Sequence, residues 1–112
     1  MTNPVIDPDV FDEISELMDD SMGDFIETYL DNSPMLLQQI NEAMVEGDLE
    51  TLYGHAHQLR GGSGSIGAMQ VFELATDLEQ RAKAGELDRL GALVVKLQVA
   101  FEQAEKELKT FL

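Results

Sequence analysis

The chain has 112 residues, enough for one hydrophobic core and too few for two. Asp and Glu outnumber Lys and Arg by 22 to 7, and the resulting net charge of −15 argues against nucleic acid and anionic membranes as partners, since both need clustered cations. The absence of cysteine removes disulfides, thiolate metal sites and thiol nucleophiles, and no apolar run approaches the ~18 residues of a membrane span.

Met1 to Asp9 has neither the basic region nor the apolar stretch of a secretory signal, so a cytoplasmic location is expected. Asp7-Pro8 reads as a helix cap with proline at the first helical position. Phe11, Ile14, Leu17 and Met18 then share one face at helical spacing. A second apolar set runs Met22, Phe25, Ile26, Tyr29, Leu30, then Leu36, Leu37, Ile40, Met44. Pro34 interrupts it. Proline lacks a backbone donor and crowds the preceding turn, so this segment is a kinked long helix or two helices. Gly47-Asp48 closes it, and Asp48 can cap a third helix with Leu49, Leu52, Ala56 and Leu59 inside. The glycines from Gly61 to Gly67 predict that this helix ends near Gly64 or Ser65. A fourth helix carries Ala68, Val71, Ala75, Leu78 and Ala82, and stops at Gly85. In the last, Leu87, Leu90, Val94, Leu97, Phe101, Ala104, Leu108 and Phe111 follow a regular 3-4 alternation. Such a seam can pair copies of a chain, but beside other amphipathic helices it fits the inside of a bundle, and a monomer is expected. No strand pattern is present. The expected fold is all-α: a single domain over residues 1–112, an up-down four-helix bundle with a short additional N-terminal helix.

The chemistry is concentrated in Ala56-His57-Gln58-Leu59-Arg60-Gly61-Gly62-Ser63, closed by Ile66-Gly67-Ala68. Arg60 is the first basic residue of the chain, after fourteen Asp and Glu. On a helical wheel His57 lies roughly 110–120° from the centre of the apolar face, which exposes it on the flank of the bundle. Its neighbours one turn away are Tyr53, Gly54, Arg60 and Gly61, with Gly64 two turns away. Glycine inside a helix costs about 1 kcal/mol relative to alanine. Several on one face make little sense for stability, but they clear the approach to the imidazole for another protein. His55 points about 160° away from His57, so the two cannot chelate one metal, and no metal site is expected. A neutral imidazole is a nucleophile, and a guanidinium suits phosphate oxygens. An exposed His57 beside Arg60 is therefore either a phosphoryl acceptor or an ordinary surface histidine, and spacing alone leaves both open. The chain has no phosphate-binding P-loop, and Gly62-Ser63-Gly64 lacks the setting of a serine nucleophile elbow. Ser63 fits a packing or capping role.

These residues resemble the histidine-containing phosphotransfer (HPt) family, whose signature looks like A-H-x-L-[KR]-G-x-[SA]-x-x-[LIV]-G-A. The matching residues are Ala56, His57, Leu59, Arg60, Gly61, Ser63, Ile66, Gly67 and Ala68, continuing with Val71, Leu74, Ala75, Leu78 and Glu79. The motif covers about a quarter of the chain. The resemblance implies a bundle whose exposed histidine carries phosphate between the aspartates of receiver domains. By that analogy His57 is the phosphoacceptor, attacking through Nε2. Arg60, where the family usually has Lys, would screen the phosphoryl group. Glu79 would hydrogen-bond the imidazole Nδ1, and Gly61 would leave room for the receiver; with the residues that spacing sets around His57, the expected docking surface is Tyr53, Gly54, Gly61 and Gly64. The family's long second helix favours the kinked reading at Pro34. Gly62 departs from the Ser or Ala common at its position, which would loosen the helix end.

The implied function is that of a phosphorelay carrier without kinase activity of its own. Its partners would be the receiver domain of a hybrid sensor kinase and a response regulator. It would hold no cofactor, the Mg²⁺ being supplied by the receiver. The alternative is a non-catalytic helical adaptor that binds a partner through the glycine-lined face.

Overall fold

A computed structural model of the protein describes residues 4–112. The first helix, α1, spans Pro8–Met18. Asp7 caps it, its carboxylate accepting from the amides of Asp9 at 2.9 Å and Val10 at 3.4 Å, and Pro8 takes the first turn, where no donor is needed. A single 3-10 turn at Asp19–Ser21 leads into α2, Met22–Glu46. This helix runs unbroken through Pro34, whose ring faces solvent between buried Ser33 and buried Leu37. Packing of those flanking positions outweighs the one backbone bond that proline removes.

Gly47, in the left-handed region at φ 72°, ends α2, and Asp48 starts α3, Leu49–Ile66. Asp48 accepts from the Thr51 hydroxyl at 2.6 Å and the Thr51 amide at 3.2 Å, which holds its carboxyl below the ordinary aspartate value. The glycines place the end of α3 to within a residue. The helix continues to Ile66, because Leu59, Ser63 and Ile66 are all buried at helical spacing. It ends at Gly67, whose φ of 85° a side chain would strain. The amide of Asp7 donates to the Gly67 carbonyl at 2.8 Å, tying the start of α1 to the end of α3. Two further helices follow, α4 at Met69–Lys83 and α5 at Leu90–Lys109.

The connections α2–α3 and α3–α4 are two residues each, so neighbouring helices run antiparallel. In the ring α2 packs on α3, α3 on α4, α4 on α5, and α5 back on α2, while α1 lies across α2 and α3. This is the up-down four-helix bundle with an additional N-terminal helix, and no strand occurs among the described residues. Its core includes the fully buried Ile26, Ile40, Leu52, Leu59, Ile66, Leu78, Leu97 and Leu108. The seam of α5 is buried from Leu90 to Leu108. Its expected outer members depart from it. Leu87 is exposed in the loop before α5, and Phe111, beyond the helix end, lies against Phe11 with ring centroids 4.4 Å apart. No helix among the described residues is long and apolar enough to cross a membrane.

Three polar side chains are buried among the described residues: Ser33, Ser63 and Glu79. Ser63 faces inward from α3, its hydroxyl 2.7 Å from that of Tyr29. Burial raises the Tyr29 phenol to about 12 against opposing hydrogen bonds from Ser63 and Ser33. The folded state thus holds this proton more tightly than the unfolded chain, where the phenol titrates near 10. Its contribution is intact below pH ~10 and is lost as the pH rises towards 12, by an amount on the order of 2–3 kcal/mol. Urea denaturation at stepped alkaline pH should show this fall, and Tyr29→Phe should flatten it. Parallel curves for the two proteins would contradict the assignment.

Candidate functional site

The third and fourth helices set the site. Ala56 on α3 and Ala75 on α4 are fully buried, and such small residues let the two helices approach closely. Leu78 fills the core beside them, so the next residue, Glu79, emerges toward the flank of α3. His57 stands on that flank with 55% of its side chain exposed, while the Glu79 side chain is only 10% exposed.

Glu79 Oε1 lies 2.7 Å from His57 Nδ1. A carboxylate only accepts, so Nδ1 carries the hydrogen, and in the neutral ring the Nε2 lone pair is left free. The ring is also flanked by Tyr53, one turn earlier, with centroids 6.2 Å apart and planes 13° from parallel. Hydrogen bond and stacking together fix the plane of the imidazole.

Arg60 is less free than an exposed screening residue would be. Its side chain is 36% exposed, and Nε sits 3.0 Å from Glu79 Oε2. That nitrogen is shut off from water and makes no aligned hydrogen bond, so the contact is an ion pair and not a directed bond. The glycines divide into two kinds. A Cβ on Gly54 or Gly61 would meet nothing within 4 Å, so both leave open space beside His57. Gly64, half-exposed on the same side of α3, also gives room to a neighbouring side chain. A Cβ there would fall 2.9 Å from Cδ1 of Phe72. Gly62 faces the Tyr29 ring at ordinary contact distance, and the helix end is intact around it.

His55 takes no part. Its Nδ1 is buried without a hydrogen-bond partner, and no group of three or more His, Asp or Glu is arranged to hold a metal among the described residues. A groove of about 420 Å³ lies between α2 and α3, lined by Phe25, Tyr29, Met35, Leu36, Gln58 and Leu59. No charged side chain lines it. Its only trace in the sequence is the lack of charge at those positions, which become one surface only once α2 and α3 are paired.

Comparison with known proteins fits this geometry. The family model described as Hpt domain matches residues 24–108, which include His57, Arg60 and Glu79. The chain belongs to the Hpt domain family. Histidine-containing phosphotransfer protein 4 of Arabidopsis thaliana is 33% identical over 106 residues, covering 89% of this chain and 78% of that protein. The crystal structure of histidine-containing phosphotransfer protein B from Pseudomonas aeruginosa PAO1 superposes with a TM-score of 0.93 at 28% identity, covering 97% of this chain and 95% of the other. A maize histidine-containing phosphotransfer protein shares the fold, with a TM-score of 0.85 at 17% identity and coverages of 95% and 81%. The role of this Hpt chain is phosphotransfer in a phosphorelay.

Proposed function

We propose that His57 is the phosphoacceptor and that it exchanges a phosphoryl group with the aspartates of receiver domains. The observation that carries the reading is an imidazole with 55% of its side chain exposed, whose Nδ1 is held by Glu79 at 2.7 Å.

In the forward step the Nε2 lone pair attacks the phosphorus of an aspartyl phosphate. The N–P bond forms as the P–O bond to the aspartate breaks, and the aspartate leaves as a carboxylate. The Nδ1 hydrogen stays in place, so the phosphorylated ring is cationic, and the Glu79 carboxylate faces that charge. Arg60, one turn along α3, offsets the charge of the phosphoryl oxygens. Such transfer needs mainly positioning and electrostatics, so a bare nucleophile suffices when the partner brings the rest. The receiver supplies Mg²⁺ and its own carboxylates. This chain therefore acts as a carrier, with no kinase activity of its own.

The open face at Gly54 and Gly61 admits the rim of the receiver, with Tyr53 at its edge. The partners are the receiver of a hybrid sensor kinase on one side and a response regulator on the other, met in the cytoplasm. A monomer suffices for this exchange, because the α5 seam from Leu90 to Leu108 is spent inside the bundle.

The division of labour over Mg²⁺ can be tested directly. Chelation with EDTA is expected to stop transfer between a receiver and this protein, by at least ~100-fold in rate. It should leave the half-life of the isolated phosphorylated chain unchanged. Rapid loss of the label from the isolated chain on chelation would place a metal on this protein and contradict the reading.

A further inference from the structure

Glu79 presents a physical problem that the phosphoacceptor role does not by itself resolve. Its carboxylate is nearly buried at the α3–α4 junction, and it accepts a hydrogen bond from His57. A buried charge is tolerated only where it is paired. His57 does not supply a permanent charge, because it must be neutral to act as a nucleophile. The permanent cation at the carboxylate is Arg60, with Nε 3.0 Å from Oε2.

We infer that Arg60 is a positioning residue for His57, acting through Glu79. Each carboxylate oxygen has one task. Oε2 faces the Arg60 charge across an ion pair, with Nε at 3.0 Å, and this attraction keeps Oε1 turned to His57 Nδ1. The guanidinium suits the task because its nitrogens are fixed in one plane. With Nε toward Glu79, the same planar group still carries Nη1 and Nη2, donors suited to phosphoryl oxygens. A lysine ammonium, as a single point charge, serves one of these sites at a time.

The consequence concerns the tautomer. Without the cation, Glu79 has no charge to offset its burial, and the carboxylate turns out towards water. The imidazole then loses its acceptor at Nδ1 and exchanges between tautomers. In one of them Nε2 carries the hydrogen and has no lone pair to offer.

The inference builds on the phosphoacceptor reading of His57, but its first test needs no phosphoryl donor, so the two can fail separately. Long-range ¹H–¹⁵N correlation spectra of the unphosphorylated protein, above the titration of the ring, report which nitrogen carries the hydrogen. The wild type should show the Nδ1–H form almost alone. Arg60→Ala and Arg60→Gln should both shift His57 to a mixture, with the fold intact by circular dichroism. An unchanged tautomer in both variants would overturn the inference and leave Arg60 as a phosphate screen only. The second test is a double-mutant cycle on transfer rate from a phosphorylated receiver. Arg60→Ala should slow transfer about tenfold more in the wild-type background than in the Glu79→Gln background, where no charge needs holding. Equal losses in both backgrounds would likewise overturn it.

Discussion

His57→Gln is expected to fold normally and to take up no phosphoryl group. The first half follows from exposure. More than half of the side chain faces solvent, and the core positions Leu52, Ala56, Leu59 and Ser63 lie on the other side of α3. The substitution removes the imidazole N–H that Glu79 accepts, but a glutamine amide retains a donor to meet that carboxylate. Stability should therefore stay within about 1 kcal/mol of the wild type. The second half follows from chemistry, since an amide nitrogen has no lone pair free to attack phosphorus. Circular dichroism and a receiver transfer assay on the same preparation check both. A folded variant that still acquires label would move the acceptor away from His57.

Gly61→Leu should make the protein more stable and much less able to transfer. A Cβ at this position meets nothing within 4 Å, and leucine is a far better helix former than glycine. The gain should be about 1 kcal/mol, which for a chain of this size raises Tm by roughly 4 °C. The same side chain occupies the space beside His57 that the receiver must enter. Misplacement of the reacting groups by ~1 Å is enough to cost on the order of 100-fold in rate, and a docked leucine displaces them further. Gly64→Ala supplies the contrast. There the new Cβ meets the Phe72 ring at 2.9 Å, so the helix gain is offset by strain and Tm should not rise. Thermal denaturation and transfer rates of the two variants separate the roles. A Gly61→Leu protein that transfers at the wild-type rate would remove Gly61 from the docking face.

Much of this was readable from spacing. Asp7-Pro8, Gly47-Asp48 and the apolar stripes gave the helices, because caps and periodicity are local properties. The wheel also put His57 on the flank. Pro34 lies inside one long helix, as the family resemblance favoured, and α3 ends within a residue of the stop its glycines suggested, with buried neighbours carrying both helices. The departure occurs where tertiary structure decides. Leu87 continues the periodicity of α5, but the loop through Arg89, at φ 71°, ends the helix before reaching it.

The site divides in the same way. His57 and its neighbours Tyr53, Gly54, Arg60 and Gly61 share one helix, so their proximity is fixed by the 3.6-residue turn. The distances from Glu79 to His57 and Arg60 depend on the register between α3 and α4, which no spacing within one helix encodes. Resemblance to the family pointed to Glu79. That Arg60 reaches the same carboxylate, and that Phe72 lies against Gly64, came only from the packed structure. Nor did the sequence reveal the pairing of Tyr29 with Ser63 across α2 and α3.

The most direct test of the central claim is transfer of ³²P from a phosphorylated receiver domain to the wild-type protein, followed by the acid and alkali stability of the product. Phosphohistidine is labile in acid and stable in alkali, whereas an acyl phosphate is lost in alkali and a serine phosphate survives acid. The account predicts rapid, Mg²⁺-dependent labelling with an acid-labile, alkali-stable product that maps to the peptide containing His57. No labelling from any of several phosphorylated receivers, or a label that survives acid, would contradict it and favour a helical adaptor that binds its partner without carrying phosphate.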